Sequence, residues 1–253
     1  MRRKQPIFLS CSPEGLLIDC LFTYNRRAFL PLQKENLQGR PVSDLIEEGI
    51  AGNWSGSFEM TAPLQEALSS FCQKTGDPDF FSRSDRLPVQ VRISRYEKGW
   101  LPPSLASLKN FLSGRRRPAR IYVRKSLILP AHAASPLHRR LWGILKTGQL
   151  ESMGFNWSLM HPGYMTIPLD TPPHRLLQVA AHEAGHLLGL GDAYAAWYRF
   201  FRAAPDTRGF MMRDNSNVQS LEVAMVLGAH TSGRMQYFPR RLRSGKKGNK
   251  QPL

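Results

Sequence analysis

Alternation of hydrophobic and polar residues predicts three β-strands in the middle of the chain. In residues 89–94 every second residue is hydrophobic, and the same alternation returns at 119–125. A third short run, at 164–167, ends at Pro168, which cannot continue a central strand. Each of these segments has one hydrophobic face, and that face needs a second layer to cover it.

Hydrophobic residues at spacings of three and four predict helices between and after these strands. Residues 62–73 carry such a stripe, and a shorter helix before them is predicted to end near Gly49 or Gly52. Strands and helices therefore mix along the chain, which indicates an α/β fold.

The longest helical pattern carries the strongest chemical signal. It runs from Thr171, the predicted N-cap, to about Leu190. His182 and His186 are four residues apart and share one helix face, so both imidazoles can bind one ion. Glu183 projects beside them, where a carboxylate can accept a proton from water.

The residues after the second histidine predict a third ligand. Gly189 lets the chain turn sharply out of the helix, because glycine adopts left-handed conformations without a side-chain penalty. Asp192 can then return as an oxygen donor. Since catalytic zinc commonly has three protein ligands, we predict Zn²⁺ held by His182, His186 and Asp192, with Glu183 as the catalytic base.

The pattern H-E-x-x-H-x-x-G-x-x-D at residues 182–192 resembles the signature of the metzincin zinc peptidases, with Asp in place of the usual third His. It is most similar to the snapalysin-like group, which also has a tyrosine where Tyr194 stands. Residues 210–214 resemble the methionine turn of these enzymes, with Met212 as the residue beneath the metal. The resemblance covers residues 162–228.

The resemblance implies a fold and an activity. The fold is α/β and metzincin-like: a small twisted mixed sheet over the active-site helix, then a methionine turn and a C-terminal helix. The activity is zinc-dependent endopeptidase, with Glu183 as general base and Tyr194 donating to the oxyanion. Residues 162–167 should form the sheet edge that holds a peptide substrate as an added strand. Within the peptidase class Glu222 is a rival third ligand, as in gluzincins.

Composition along the chain indicates how the domain is bounded. We expect one catalytic domain over 36–239, an N-terminal extension of unassigned role over 1–35, and a basic, disordered tail over 240–253. The three cysteines cannot form a complete disulfide framework and lack a metal-binding C-x-x-C spacing.

Charge leaves a second class of function open. The chain has 35 Lys and Arg against 19 Asp and Glu, a formal net charge of +16, which favours acidic partners. The alternative to a peptidase is therefore a basic binding module for nucleic acid or an acidic partner, with a structural or vestigial zinc site. Neither aromatic RNA-binding motifs nor a helix-turn-helix supports this alternative in the sequence.

Hydrophobic run length bears on the cellular compartment. No run reaches the roughly 18 apolar residues that a membrane span needs. The basic start of the chain and the short apolar stretch after it only imitate a signal peptide. We therefore expect a cytoplasmic protein without a membrane span, whereas the family resemblance suggests secretion.

Overall fold

Strands and helices mix along the protein, as the hydrophobic pattern predicts. The computed structural model describes residues 4–31, 39–75, 85–96, 102–125, 131–135, 157–194, 201–239 and 241–242. The strands are β1 (Ile7–Ser12), β2 (Gly15–Tyr24), β3 (Gly56–Glu59), β4 (Arg86–Arg95), β5 (Ala119–Arg124), β6 (His132–Ala134), β7 (Tyr164–Pro168), β8 (Phe201–Arg202) and β9 (Arg241–Leu242). The helices are α1 (Val42–Trp54), α2 (Ala62–Thr75), α3 (Pro103–Leu112), α4 (Pro173–Leu188), α5 (Met211–Asp214) and α6 (Ser220–Ser232), with a 3-10 turn at Arg26–Phe29.

Seven of the strands form one mixed sheet. Its order is β3-β4-β2-β5-β7-β6, and β1 pairs with β2. Strands β4, β2, β5 and β7 are mutually parallel, whereas β1, β3 and β6 run antiparallel to their neighbours. The predicted α/β class is confirmed.

Helix α4 lies in the core beside the sheet. Helix α1 packs against both α4 and β4, and α4 also contacts β6 and β7. The apolar side chains of β2, β5 and β7 join those of α1 and α4 in one buried cluster. The metal-ligand candidates on α4 are consequently held from several sides.

The first strands of the chain require a correction to the predicted domain boundary. Strand β2 lies between β4 on one side and β1 and β5 on the other, so it is central to the sheet. A boundary at residue 36 would cut through this sheet. Strands β1 and β2 are therefore part of the sheet and not an extension beside it. Burial alternates along β2, but Leu17 and Leu21 on its partly buried face are also apolar, so the sequence shows no clear alternation.

The predicted edge strand is also wrong. Strand β7, which contains most of residues 162–167, pairs with β5 on one side and with β6 on the other. Among the described residues, the terminal position next to β7 belongs to β6. Three residues are too few to produce a periodic signal in the sequence.

Two helix ends differ from their predictions. Helix α1 passes through Gly49 and Gly52 and ends at Trp54. Gly49 serves close packing here, because a Cβ on it would lie 2.4 Å from the carbonyl oxygen of Leu177 in α4. Helix α4 has Pro172 at its N-cap, and the Thr171 hydroxyl donates to the Pro168 carbonyl instead of capping the helix.

The C-terminal region is described only in part. Within the predicted disordered tail, Arg241 and Leu242 pair antiparallel with Phe201 and Arg202, which corrects the prediction for those two residues. The rest of residues 240–253 lies outside the described residues. None of the described helices combines the length and apolar character needed to cross a bilayer.

Two alanine substitutions in α1 test the close approach of α1 to α4. Gly49→Ala should lower the free energy of unfolding by about 2 kcal/mol, because the new methyl group meets backbone atoms of Leu177. Gly52→Ala is the matched control, since nothing lies within 4 Å of its Cβ position. It should raise stability by about 0.5–1 kcal/mol through helix propensity. Urea denaturation measures both, and equal effects would contradict the packing described here.

Candidate metal centre

The candidate ligands and the candidate base on helix α4 are buried in the protein interior. Residues 180–188 are buried without interruption, including His182, Glu183 and His186, each 6% exposed. The helix ends at Gly189, whose φ of 102° is left-handed and favours glycine. A Cβ there would also lie 2.7 Å from both Ala229 and Trp157, so the turn that follows α4 is tightly enclosed.

Backbone carbonyls orient both histidine rings. The Nδ1 atom of His182 lies 2.8 Å from the carbonyl oxygen of Met211, and that of His186 lies 2.8 Å from the carbonyl oxygen of Leu190. A carbonyl oxygen only accepts hydrogen bonds, so each Nδ1 carries the proton. In the neutral rings each Nε2 therefore presents a lone pair.

Asp192 completes the group after the turn at Gly189. Its Oδ1 atom lies 3.3 Å from the Nε2 atom of His182 and 3.3 Å from that of His186. Each residue offers one potential ligand atom, and the three atoms all lie within 4.8 Å of one another. The structure thus brings together the three residues predicted as ligands.

Three lone-pair atoms that converge in this way need a positive charge between them. With both Nδ1 protons committed to carbonyls, neutral His182 and His186 have no hydrogen to offer the buried Oδ1 of Asp192, which has no hydrogen-bond partner. An extra proton or a metal cation can supply the missing charge.

The two separations between the histidines and Asp192 suit tetrahedral zinc. Ligands bound at ~2.0–2.1 Å in tetrahedral geometry lie about 3.3 Å from one another. Both histidine-to-Asp192 distances have this value. Two imidazoles and one carboxylate are also a common donor set for zinc that retains an open position.

Charge interactions within the group of His182, His186 and Asp192 shift the pKa values of two of its members. Burial lowers the pKa of His186, but the charge of Asp192 and the contact with it outweigh burial and raise this pKa to about 9. Burial raises the pKa of the Asp192 carboxyl, and the two histidines outweigh it and hold this pKa well below its usual range. The site therefore favours a cationic partner for Asp192 at neutral pH.

Glu183 is the second carboxyl in this buried region. Burial raises its pKa above the ordinary value, and the nearby histidines only partly offset this effect. Its Oε2 atom is buried and has no hydrogen-bond partner among the described residues. A carboxyl of this kind, beside a ligand group, has the properties of a general base or acid.

Tyr194 and His132 flank the ligand group. The Tyr194 ring stacks on His182, with centroids 6.1 Å apart and an interplanar angle of 26°. His132, on terminal strand β6, is near enough for its charge to lower the pKa of Glu183. The sequence does not indicate that His132 lies near the site, because no other candidate ligand stands at a metal-binding spacing from it. Only the tertiary fold brings β6 to α4.

The segment predicted as a methionine turn packs against α4. Residues Met211–Asp214 form the single turn α5, and Met211 supplies the carbonyl that orients His182. A Cβ on Gly185 would lie 2.2 Å from the Met212 sulfur, so this glycine gives Met212 the space to pack on α4.

Glu222, the rival third ligand, has a different role. Its fully buried carboxylate accepts hydrogen bonds from the backbone N–H groups of Met212 and Gln219, both at 2.8 Å, and from Met211 at 3.4 Å. It is not part of the group formed by the two histidines and Asp192. Glu222 thereby ties the start of α6 to the turn that orients His182.

Two tryptophans that the sequence did not single out also hold α4. The indole N–H of Trp54 donates to the Ala181 carbonyl at 2.9 Å, and that of Trp157 donates to the Leu187 carbonyl at 3.1 Å. Both are long-range contacts, and no local pattern reveals them.

Comparison with known proteins leaves the family open. No protein-family model matches the chain, and no curated protein matches it significantly.

Separate substitutions of Asp192 and Glu222 distinguish a metal ligand from a residue that only stabilises the surrounding backbone. Asp192→Ala should weaken zinc binding by more than about tenfold, because losing a ligand costs more than losing an outer partner. Glu222→Gln should retain stoichiometric zinc but lower the free energy of unfolding by about 1–3 kcal/mol, since a buried acceptor is lost. Zinc content and urea denaturation measure the two effects. Zinc loss in Glu222→Gln with full retention in Asp192→Ala would reverse the assignment.

Proposed function

We propose that the protein is a zinc-dependent endopeptidase of the metzincin type, close to the snapalysin-like group. The observation that carries this proposal is the convergence of His182 Nε2, His186 Nε2 and Asp192 Oδ1, with an unpartnered buried carboxyl of Glu183 beside them. The first three suit a metal ion, and the fourth suits proton transfer.

The ligands of the ion would be His182, His186 and Asp192. When bound, zinc would supply Lewis acidity, which polarises a substrate carbonyl and lowers the pKa of water. A structural zinc site has four protein ligands as a rule, whereas the described residues here supply three. This count favours a catalytic role over the alternative of a structural site in a basic binding module.

Glu183 would move the proton. Its burial disfavours the charged carboxylate and raises its pKa toward the range useful for acid and base catalysis near neutral pH. It would accept a proton from the attacking water and then deliver it to the leaving amine. No described hydrogen bond to Oε2 competes with that function.

Tyr194 and the terminal strand would position the substrate. Tyr194 lies against His182 and is our candidate donor to the oxyanion. A peptide substrate would extend the sheet beside β6, because terminal strands bind extended peptides through backbone hydrogen bonds. The substrate would therefore lie beside β6 and not beside β7.

Replacing the proposed base tests this function. Glu183→Gln should keep the fold and bound zinc but reduce the cleavage rate of an unstructured peptide library at least about 100-fold, since an amide cannot accept the proton. Glu66→Gln, at an exposed position on α2, is the matched control and should retain wild-type activity.

The same assay includes a metal arm. A chelator should abolish cleavage and added zinc should restore it. Activity of Glu183→Gln within about tenfold of wild type would contradict the role of the base, and chelator-resistant cleavage would contradict the role of zinc.

A further inference from the structure

Helix α3 turns its apolar side outward. Leu105, Leu108 and Leu112 are 50%, 52% and 75% exposed, and their spacing puts them on one helix face. Ala106 and Asn110, on the opposite face, are buried. Single exposed leucines are ordinary, but three on one face of a short helix form a hydrophobic patch of the kind found at interaction sites.

Polar contacts fix the helix in this orientation. The Asn110 side chain accepts a hydrogen bond from the Tyr96 hydroxyl at 2.9 Å and donates to the Arg116 carbonyl at 2.8 Å. Arg116 in turn is paired with Asp19. The outward direction of the leucines thus follows from a partly buried hydrogen-bond network.

Unpaired positive charges surround the leucines. Lys109 lies on the same exposed face, Arg115 follows the helix, and the Lys4 Nζ atom lies 3.4 Å from the Cβ position of Gly114. All three cations are exposed, and none makes an ion pair with a described residue. In the sequence, residues 98–150 contain eleven Lys and Arg and no Asp or Glu, so this part of the chain carries charge of one sign.

We propose that these six residues, the α3 patch, dock onto an anionic lipid surface. The patch consists of the leucines Leu105, Leu108 and Leu112 and the cations Lys4, Lys109 and Arg115. Leucines would enter the boundary between headgroups and acyl chains, and the cations would bind the lipid phosphates and carboxylates. This attachment is peripheral and independent of the proposed peptidase activity.

Charge and composition favour lipid over other partners. Nucleic acid would use the cations, but its phosphates offer nothing to the leucines, and the α3 patch has no aromatic side chain on which bases could stack. A second copy of the chain, or the rest of residues 98–150, would bring the same sign of charge to Lys109 and Arg115. An anionic bilayer satisfies both the apolar and the basic groups.

Vesicle flotation of the full chain tests the proposal. The protein should bind vesicles of phosphatidylcholine mixed with phosphatidylserine, and bind vesicles of phosphatidylcholine alone much more weakly. The triple variant Leu105→Gln, Leu108→Gln and Leu112→Gln should reduce partitioning about tenfold or more. The double variant Lys109→Gln and Arg115→Gln should reduce it by roughly fivefold per charge.

Matched controls lie elsewhere on the surface. Leu221→Gln removes a leucine that is 36% exposed on α6, and the double variant Arg208→Gln and Arg234→Gln removes two exposed charges. Both should bind vesicles as the wild type does. An equal fall in the arginine control would mean that only net charge matters, and an equal fall in Leu221→Gln would mean that any exposed leucine matters. Either result would overturn the proposal.

Three further results would overturn it. One is absence of wild-type binding to the anionic vesicles, and another is unchanged binding by the leucine variant. The third is a fall in Tm of more than about 5 °C in the leucine variant and also in Leu112→Gln alone, since the leucines would then be packed against protein. Oligonucleotide binding that is lost with the cations, without vesicle binding, would assign the surface to nucleic acid instead.

Discussion

The rest of the candidate site depends on one constraint, the convergence of three lone-pair atoms in the protein interior. The Nδ1 protons of His182 and His186 are committed to backbone carbonyls, so both Nε2 atoms turn their lone pairs toward Oδ1 of Asp192. Buried polar groups without partners cost about 1–3 kcal/mol each. Such an arrangement is costly unless a cation compensates for it. This cost is the physical reason that the group supports the metal-binding role proposed above.

Much of the surrounding structure maintains this convergence. Trp54 and Trp157 bind carbonyls of α4 from two sides, and Gly49 lets α1 approach the helix closely. Glu222 holds the backbone of the turn whose Met211 carbonyl orients His182. The Glu222 contacts act on the direction of the His182 imidazole, whereas the tryptophans and Gly49 fix the position of α4. A catalytic group must be held within fractions of an ångström, and supporting contacts of this kind provide that precision.

The sequence predicts the three candidate metal ligands better than it predicts the strands and helices around them. The spacing of His182 and His186 is a local signal, since a helix places residues four apart on one face. Gly189 is a second local signal, because a glycine at this position predicts the turn that brings Asp192 back toward the histidines. Strand β2 has no period of two in its sequence, because Leu17 and Leu21 on its partly buried face are as apolar as the buried residues between them. Terminal strand β6 is too short for any period. The local pattern predicts a helix end near Gly49 or Gly52. The role of Gly49 depends instead on its distance from α4, and a local sequence pattern carries no information about that distance.

X-ray absorption spectroscopy of the purified protein tests the central claim, that His182, His186 and Asp192 hold zinc with a position open for catalysis. The account predicts stoichiometric zinc with two imidazole nitrogens and oxygen ligands at ~2.0–2.1 Å and no sulfur. A protein that binds no zinc under saturating conditions would contradict it. So would a first shell containing sulfur at ~2.3 Å, because that ion would be bound to cysteines and not to the group on α4.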